Sequence, residues 1–185
     1  MPRVIHLVRH GQSEWNALRR VQGQTMDVAL DAVGHDQARA AAQALRGQPI
    51  GTLLCSDQRR AVQTAQHIAD QLGLASVPDR RLREQSLGTL EGLSTADALR
   101  RAGEIDWTDP DVQPGGGESL RQVHARLREL FAAIANGPRD CVLVSHGDTI
   151  RVALALLDGL PVERVSFQVP ANGSINTRTL VRSTP

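Results

Sequence analysis

Aromatic side chains are nearly missing from this 185-residue chain: they make up 2% of it, and there is no tyrosine. With 41% apolar residues, a core must be packed from alanine, leucine, valine and isoleucine. Little material is left for stacking on nucleobases. Cysteine is equally sparse. Cys55 and Cys141 fall in separate strand-like runs, the pattern of buried, inert thiols rather than of a disulfide framework. Neither sign of charge predominates, since 21 Lys+Arg stand against 20 Asp+Glu, and that balance proposes neither a nucleic acid nor a membrane surface as partner. No apolar run reaches the roughly 18 residues of a membrane span. After Met1-Pro2-Arg3 the chain enters a strand-like run, without the basic region, apolar stretch and cleavage site of a signal peptide. The expectation is a cytoplasmic protein folded as one domain over residues 1–185.

What is present alternates short β-like runs with longer helical patterns, the order of a layered α/β domain with a largely parallel sheet. Val4 to Val8, Thr52 to Cys55 and Cys141 to Ser145 are short and apolar, as strands covered on both faces should be. Val33 to Arg46 carries Ala38, Ala41, Ala42 and Leu45 on one helical face and is stopped by Gly47 and Pro49. Arg59 to Leu72 predicts a second helix, with the stripe Val62, Ala65, Ile68, Ala69, Leu72 and Gly73 as its cap. A third runs from Ser119 to Asn136 and ends at Gly137-Pro138. Ser94 and Asp97 resemble a capping box for a short helix ending near Gly103. Ile105 to Glu118, with Asp109-Pro110, Pro114 and Gly115-Gly116-Gly117, is loop-like. Val165, Phe167 and Val169 alternate with polar residues as a strand would, and Asn172-Gly173 offers a hairpin turn into Ile175 to Val181.

The chemistry-bearing residues sit where apolar runs stop. The first run ends in Arg9-His10-Gly11, an imidazole and a guanidinium side by side, and ligands of open α/β sheets lie outside such strand ends. After the second run comes Ser56 to Ala65, with Arg59 and Arg60 at the start of a helix, where backbone amides favour an anion. The third ends in Ser145-His146-Gly147 and repeats the order strand, His, Gly. If the two runs are parallel neighbours, His10 and His146 meet. His6, inside the first run, reads as a buried structural histidine, and His35, His67 and His124 as surface or packing residues of helices. No helical His-Glu-x-x-His pattern or cysteine cluster suggests zinc.

Arg9-His10-Gly11, Ser56 to Ala65, Leu82-Arg83-Glu84 and Ser145-His146-Gly147 stand in the order found in the histidine phosphatase superfamily, also called phosphoglycerate mutase-like. The chain resembles that family from Val4 to about Leu180. Lesser marks are Ser13-Glu14-Trp15-Asn16, Gln22-Gly23, Leu87-Gly88 with Glu91-Gly92, and Gly116-Gly117-Glu118-Ser119. The resemblance implies a three-layer α/β/α sandwich with a mostly parallel central sheet. It also implies that His10 takes the phosphoryl group, that Arg9, Arg60 and His146 surround the phosphate, and that Glu84 is the proton donor. Asn16 would donate to the phosphate, Gln22 and Gly23 would belong to a substrate-side loop, Gly147 would complete the binding site, and Arg59 would be a solvated neighbour. Neither a metal nor a cofactor is implied.

Such chemistry needs these residue types. Neutral imidazole is a nucleophile near pH 7, provided one ring nitrogen is free while the other is held as N–H by an acceptor, expected to be a backbone carbonyl. Guanidinium groups match the charge on the transferring oxygens. A carboxyl that gives and then regains a proton calls for a raised pKa. Three positions depart from the family pattern: Asp148 follows His146-Gly147 and is expected to cap the next helix, Leu90 stands for an aromatic, and Val28-Ala29 lacks a proline. The leading expectation is a phosphatase acting on a phosphorylated small molecule, with no nucleic acid or membrane partner and with a homodimer as a possible assembly. The alternatives are a cofactor-dependent phosphoglycerate mutase, and a non-catalytic regulator that binds phospho-ligands. The second should have lost His10 or Glu84, and this chain keeps both.

Overall fold

The computed structural model describes residues 3–137 and 139–180. Of the segments expected above, the ends at Pro138 and Val181 lie outside the described residues. Five strands, β1 (Arg3–Arg9), β2 (Ile50–Cys55), β3 (Ser76–Pro78), β4 (Asp140–Ser145) and β5 (Ile175–Leu180), form one sheet in the order β3-β2-β4-β1-β5. All neighbours are parallel except β1 and β5. The register of β1 against β4 sets Arg9 opposite Ser145, so the residues that follow, His10 and His146, leave the sheet side by side.

Among the described residues six α-helices accompany the strands: α1 (Glu14–Ala17), α2 (Ala32–Ala44), α3 (Arg59–Leu72), α4 (Thr95–Ala102), α5 (Leu120–Ile134) and α6 (Gly147–Leu157). Helices α2 and α3 cover one face of the sheet, where Ala41, Ala65 and Ile68 pack on Val8, Leu53 and Val144. On the other face α5 and α6 bring Val123, Leu127 and Ile150 against Ile5, Leu7 and Leu143. The strands are apolar on both faces because both are covered, and the result is the three-layer sandwich. Cys55 and Cys141 are buried free thiols, and burial pushes them up to about 11 and about 12. Among the described residues no helix is long and apolar enough to cross a membrane.

Local signals set the helix ends. Gly73 caps α3 at φ 65°, a left-handed conformation that suits glycine. Ser94 accepts from the Asp97 N–H at the start of α4, and Ser119 with Gln122 forms a full capping box on α5. The residues from 105 to 118 form no strand or α-helix, only a 3-10 turn at Pro114–Gly116.

Two elements differ from expectation. Val165, Phe167 and Val169 do not form a strand: the Ser166 carbonyl accepts from Arg151, the Pro170 carbonyl from Arg9, and the Gln168 N–H donates to Ser166 Oγ, so this backbone bonds to side chains instead of to β5. Val165 turns into the core, whereas Phe167 is 62% and Val169 45% exposed beside the sheet ends. Asn172-Gly173 is not a hairpin between two strands. Its glycine N–H donates to the carbonyls of Arg9 and His10, at 3.1 and 3.2 Å, and this turn starts β5 antiparallel to β1.

The histidines link this packing to pH. His35 and His67 meet across α2 and α3, ring nitrogen to ring nitrogen at 3.0 Å, a bond that needs a proton on one ring and a lone pair on the other. Desolvation is the leading cause that lowers His6, His10, His67, His124 and His146 below the ordinary 6.5. The unfolded chain therefore binds more protons than the folded one just below that value, and stability falls as pH drops. Thermal unfolding is expected to show a clearly lower midpoint at pH 5.5 than at pH 7.5, before most carboxylates titrate; an equal or higher midpoint at the lower pH would refute this assignment.

Candidate active site

His10 is the first residue beyond β1, and its ring is 1% exposed. Its backbone N–H donates to the Ser145 carbonyl at 3.0 Å, so the strand pairing continues one residue into the site. Nδ1 lies 2.6 Å from the carbonyl oxygen of Gly11. A carbonyl carries no proton, so Nδ1 is the N–H and Nε2 keeps the lone pair. Burial, then Arg60 and Arg9, hold the imidazole well below its usual range, against a smaller opposite pull from the Gly11 carbonyl. The ring is neutral at pH 7.

Gly11 is itself held from two sides. Its N–H donates to Thr64 Oγ1 at 3.1 Å, and the Thr64 hydroxyl donates to the Arg60 carbonyl one turn earlier in α3, at 2.8 Å. From the other side the first turn of α2 presses against it. A Cβ on Gly11 would lie 2.2 Å from the Gly34 oxygen, and one on Gly34 would lie 2.0 Å from the Gln12 oxygen. Only two glycines allow that approach. Asp31 completes the joint, since its carboxylate caps α2 at Gly34 N and accepts from Gln12 Nε2.

His146, directly after β4, is fully buried, and its ring centroid lies 5.0 Å from that of His10 at an interplanar angle of 58°. Burial lowers it first, then Arg60, His10, Arg126 and Arg9. Neither of its ring nitrogens has a hydrogen-bond partner among the described residues, nor does Nε of Arg9 or of Arg60. Buried donors are ordinarily satisfied. The Nε–H of Arg9, the Nε–H of Arg60 and the single N–H of neutral His146 are thus three unsatisfied buried donors, a set that an acceptor-rich anion would satisfy.

The two arginines are braced differently. Arg60, the second residue of α3, is fully buried and donates to the carbonyls of Thr25 and Gly23, each at 2.9 Å. Burial lowers it to about 10, so it stays charged. Arg59 beside it is exposed. Gln58 Nε2 donates to the same two carbonyls while its Oε1 accepts the N–H of Glu84 at 2.8 Å, which ties the 22–25 loop to the proton-donor segment. Gly23 (φ 45°) lies against Glu91, and Gln22 accepts from the Ser13 hydroxyl at 2.7 Å. Arg9 donates to the Pro170 carbonyl at 2.6 Å, and Gly147 leaves room for Val169, whose Cγ1 would be 2.7 Å from a Cβ there. Asn16 spends its oxygen on the N–H of Ser13 in the α1 capping box and on Asn172 Nδ2. Its NH2 group remains as a donor.

Glu84 follows the 3-10 turn Arg80–Leu82. Its Oε1 accepts from the N–H of Gln85 and of Thr149, at 2.9 and 3.1 Å, and Oε2 from the N–H of Asp148 at 3.3 Å. This corrects one expectation: the carboxylate that caps α6 is Glu84, not Asp148. Asp148 lies inside the first turn, two residues past the cap position at His146, and pairs with Arg151 at 2.8 Å. Burial and the neighbouring Asp148 charge raise Glu84, outweighing the N–H groups and Arg60 that favour its ionised form.

All five expected catalytic positions thus converge. Thr64, Gln58 and Asn172, which support them, escaped sequence reading. A signal existed for Thr64 alone, a polar residue inside the buried stripe of α3. Among the described residues no group of three or more His, Cys, Asp or Glu side chains is placed to hold a metal ion.

The model of the histidine phosphatase superfamily (branch 1) matches residues 5–184. The chain is 40% identical to a Yersinia enterocolitica protein named Probable phosphoglycerate mutase GpmB, over 85% of this chain and 75% of that one. It is 37% identical to the 2,3-bisphosphoglycerate-dependent phosphoglycerate mutase of Brucella anthropi, over 99% and 97%. Among solved structures, a mycobacterial glucosyl-3-phosphoglycerate phosphatase in complex with VO3 superposes with a TM-score of 0.88 at 37% identity, covering 95% of this chain and 92% of that one.

Thr64→Val keeps the shape of the side chain but strips the acceptor from the buried Gly11 N–H. It is expected to cost about 1–3 kcal/mol of stability in urea unfolding and to lower turnover by loosening His10. Unchanged stability would contradict this bracing.

Proposed function

The chain belongs to the histidine phosphatase superfamily, and we propose that it is a phosphatase that hydrolyses a small-molecule phosphomonoester through a phosphohistidine on His10. The observation that carries this reading is the Nδ1–H of His10 held by the Gly11 carbonyl, which leaves Nε2 as a neutral nucleophile beside His146 and two arginines. Nε2 attacks phosphorus, the bond to the leaving oxygen breaks, and that oxygen takes the proton of Glu84. Water then attacks phosphorus and returns a proton to Glu84, while the N–P electron pair goes back to Nε2. The raised pKa of Glu84 suits a group that must hold a proton and then regain it. Arg9, Arg60 and His146 bind the phosphoryl oxygens, whose lone pairs satisfy the orphaned donors, and Asn16 adds its NH2. No step is assigned to a metal or cofactor.

A phosphoglycerate mutase would use the same groups and retain the phosphoryl on His10 until a second hydroxyl accepts it. The names of the Yersinia and Brucella relatives favour it; the near-complete superposition on a phosphatase favours hydrolysis. With 3-phosphoglycerate and 2,3-bisphosphoglycerate together, phosphate release without 2-phosphoglycerate supports the phosphatase, and formation of 2-phosphoglycerate supports the mutase.

His10→Ala is expected to abolish both phosphate release and the acid-labile phosphoenzyme. Glu84→Gln should slow turnover by about 10²–10⁴, least for esters whose leaving group needs no proton. Full activity of His10→Ala in a phosphomonoester screen would contradict the mechanism.

A further inference from the structure

The chain's few aromatic residues are not all in its core. Trp107 and Phe167, 41% and 62% exposed, come from segments 60 residues apart and line the same cavity, about 560 Å³ with its open mouth included. Its interior is about 170 Å³, less than a drug-sized pocket and suited to one small group of a ligand. Gln85 and Asp148 also line it, and both donate their backbone N–H to the carboxylate of Glu84. The cavity therefore opens beside the carboxyl that the proposed mechanism uses to protonate the leaving oxygen.

Its polar groups are specific in kind. Arg151, 10% exposed along its side chain, is pinned by Asp148 and by the Ser166 carbonyl at 2.7 Å, and its Cζ lies 5.9 Å from the centre of the Phe167 ring. Its charge is thus spent within the wall, and it props one aromatic in place. Asp109 adds a second carboxylate to the lining. The amide of Gln85 uses its NH2 on the Glu118 carbonyl at 2.7 Å, which leaves its oxygen as an acceptor. Two carboxylates against one guanidinium make the wall net negative; Asp109 and the Gln85 oxygen offer acceptors, and the Trp107 indole N–H offers a donor, so the lining matches groups that both give and take hydrogen bonds. Hydroxyl groups suit such a wall; a carboxylate, which is acceptor-only and charged, does not.

We propose that this cavity is the leaving-group subsite and that it takes an uncharged hydroxylated ring, the sugar of a sugar phosphate, in preference to a short acid such as phosphoglycerate. The proposal rests on the phosphatase reading above. The apolar C–H face of the ring stacks on Trp107 and Phe167, and its hydroxyls donate to Asp109 and Gln85. Asp109→Asn keeps the oxygen that accepts the Asp111 N–H at 2.9 Å and removes only the charge.

The test compares kcat/KM for glucose 6-phosphate and 3-phosphoglycerate in the wild type, Trp107→Ala, Phe167→Ala and Asp109→Asn. The wild type is expected to favour the sugar phosphate by at least about tenfold. Either aromatic truncation should erase most of that preference, chiefly through KM, and Asp109→Asn should raise the efficiency on 3-phosphoglycerate about threefold or more. Preference for 3-phosphoglycerate, or truncations that lower both substrates equally, would overturn the subsite while the phosphatase reading survives. Absence of phosphate release from both esters would overturn both.

Discussion

A histidine attacks phosphorus only through a nitrogen whose lone pair is exposed to the substrate, so the placement of one proton decides whether this site can work as proposed. In His10 that proton is held on Nδ1 by the carbonyl of the next residue, 2.6 Å away. The acceptor is backbone, so its position depends on everything that holds the chain at Gly11. Pairing of β1 with β4 extends to the His10 N–H, Thr64 receives the Gly11 N–H, and Gly34 brings α2 into direct backbone contact. The two glycines and the buried threonine serve the tautomer of a ring none of them touches through a side chain.

The electrostatics follow from the same enclosure. Burial first, and then the neighbouring guanidinium groups, keep both imidazoles neutral, which preserves the nucleophile and leaves the positive charge on the arginines. The adjacent carboxyl is pushed the other way: burial and Asp148 raise Glu84 although three backbone N–H groups favour its anion. A proposed base and a proposed acid are thus separated by environment rather than by residue type alone. Unpaired donors on Arg9, Arg60 and His146 cost folding energy that an arriving phosphate can recover.

Much of this arrangement was legible in the amino-acid sequence because it rests on local grammar. Apolar runs that end in His-Gly announced two strand ends, and the span Arg59–Leu72 with its glycine cap carried the helical period without ambiguity. What escaped depends on long-range geometry. The alternation at 165–169 looks like a strand, yet the carbonyls of Ser166 and Pro170 are taken by Arg151 and Arg9, side chains that reach this segment only in the fold. Asp148 looks like a cap by its neighbours, but the α6 terminus is served by a carboxylate 64 residues away. Asn172 announced only a turn, and Gln58 only a place in the segment after the second strand, since their role is to bridge segments that meet only in the fold.

The central claim is the protonation of one ring, and nitrogen-detected NMR of selectively labelled histidine measures it directly. At pH 7 the His10 ring is expected to give the signature of a neutral imidazole protonated at Nδ1, with Nε2 unprotonated, and to keep it well below pH 6.5. An imidazolium at pH 7, or a neutral ring protonated at Nε2, would contradict the account.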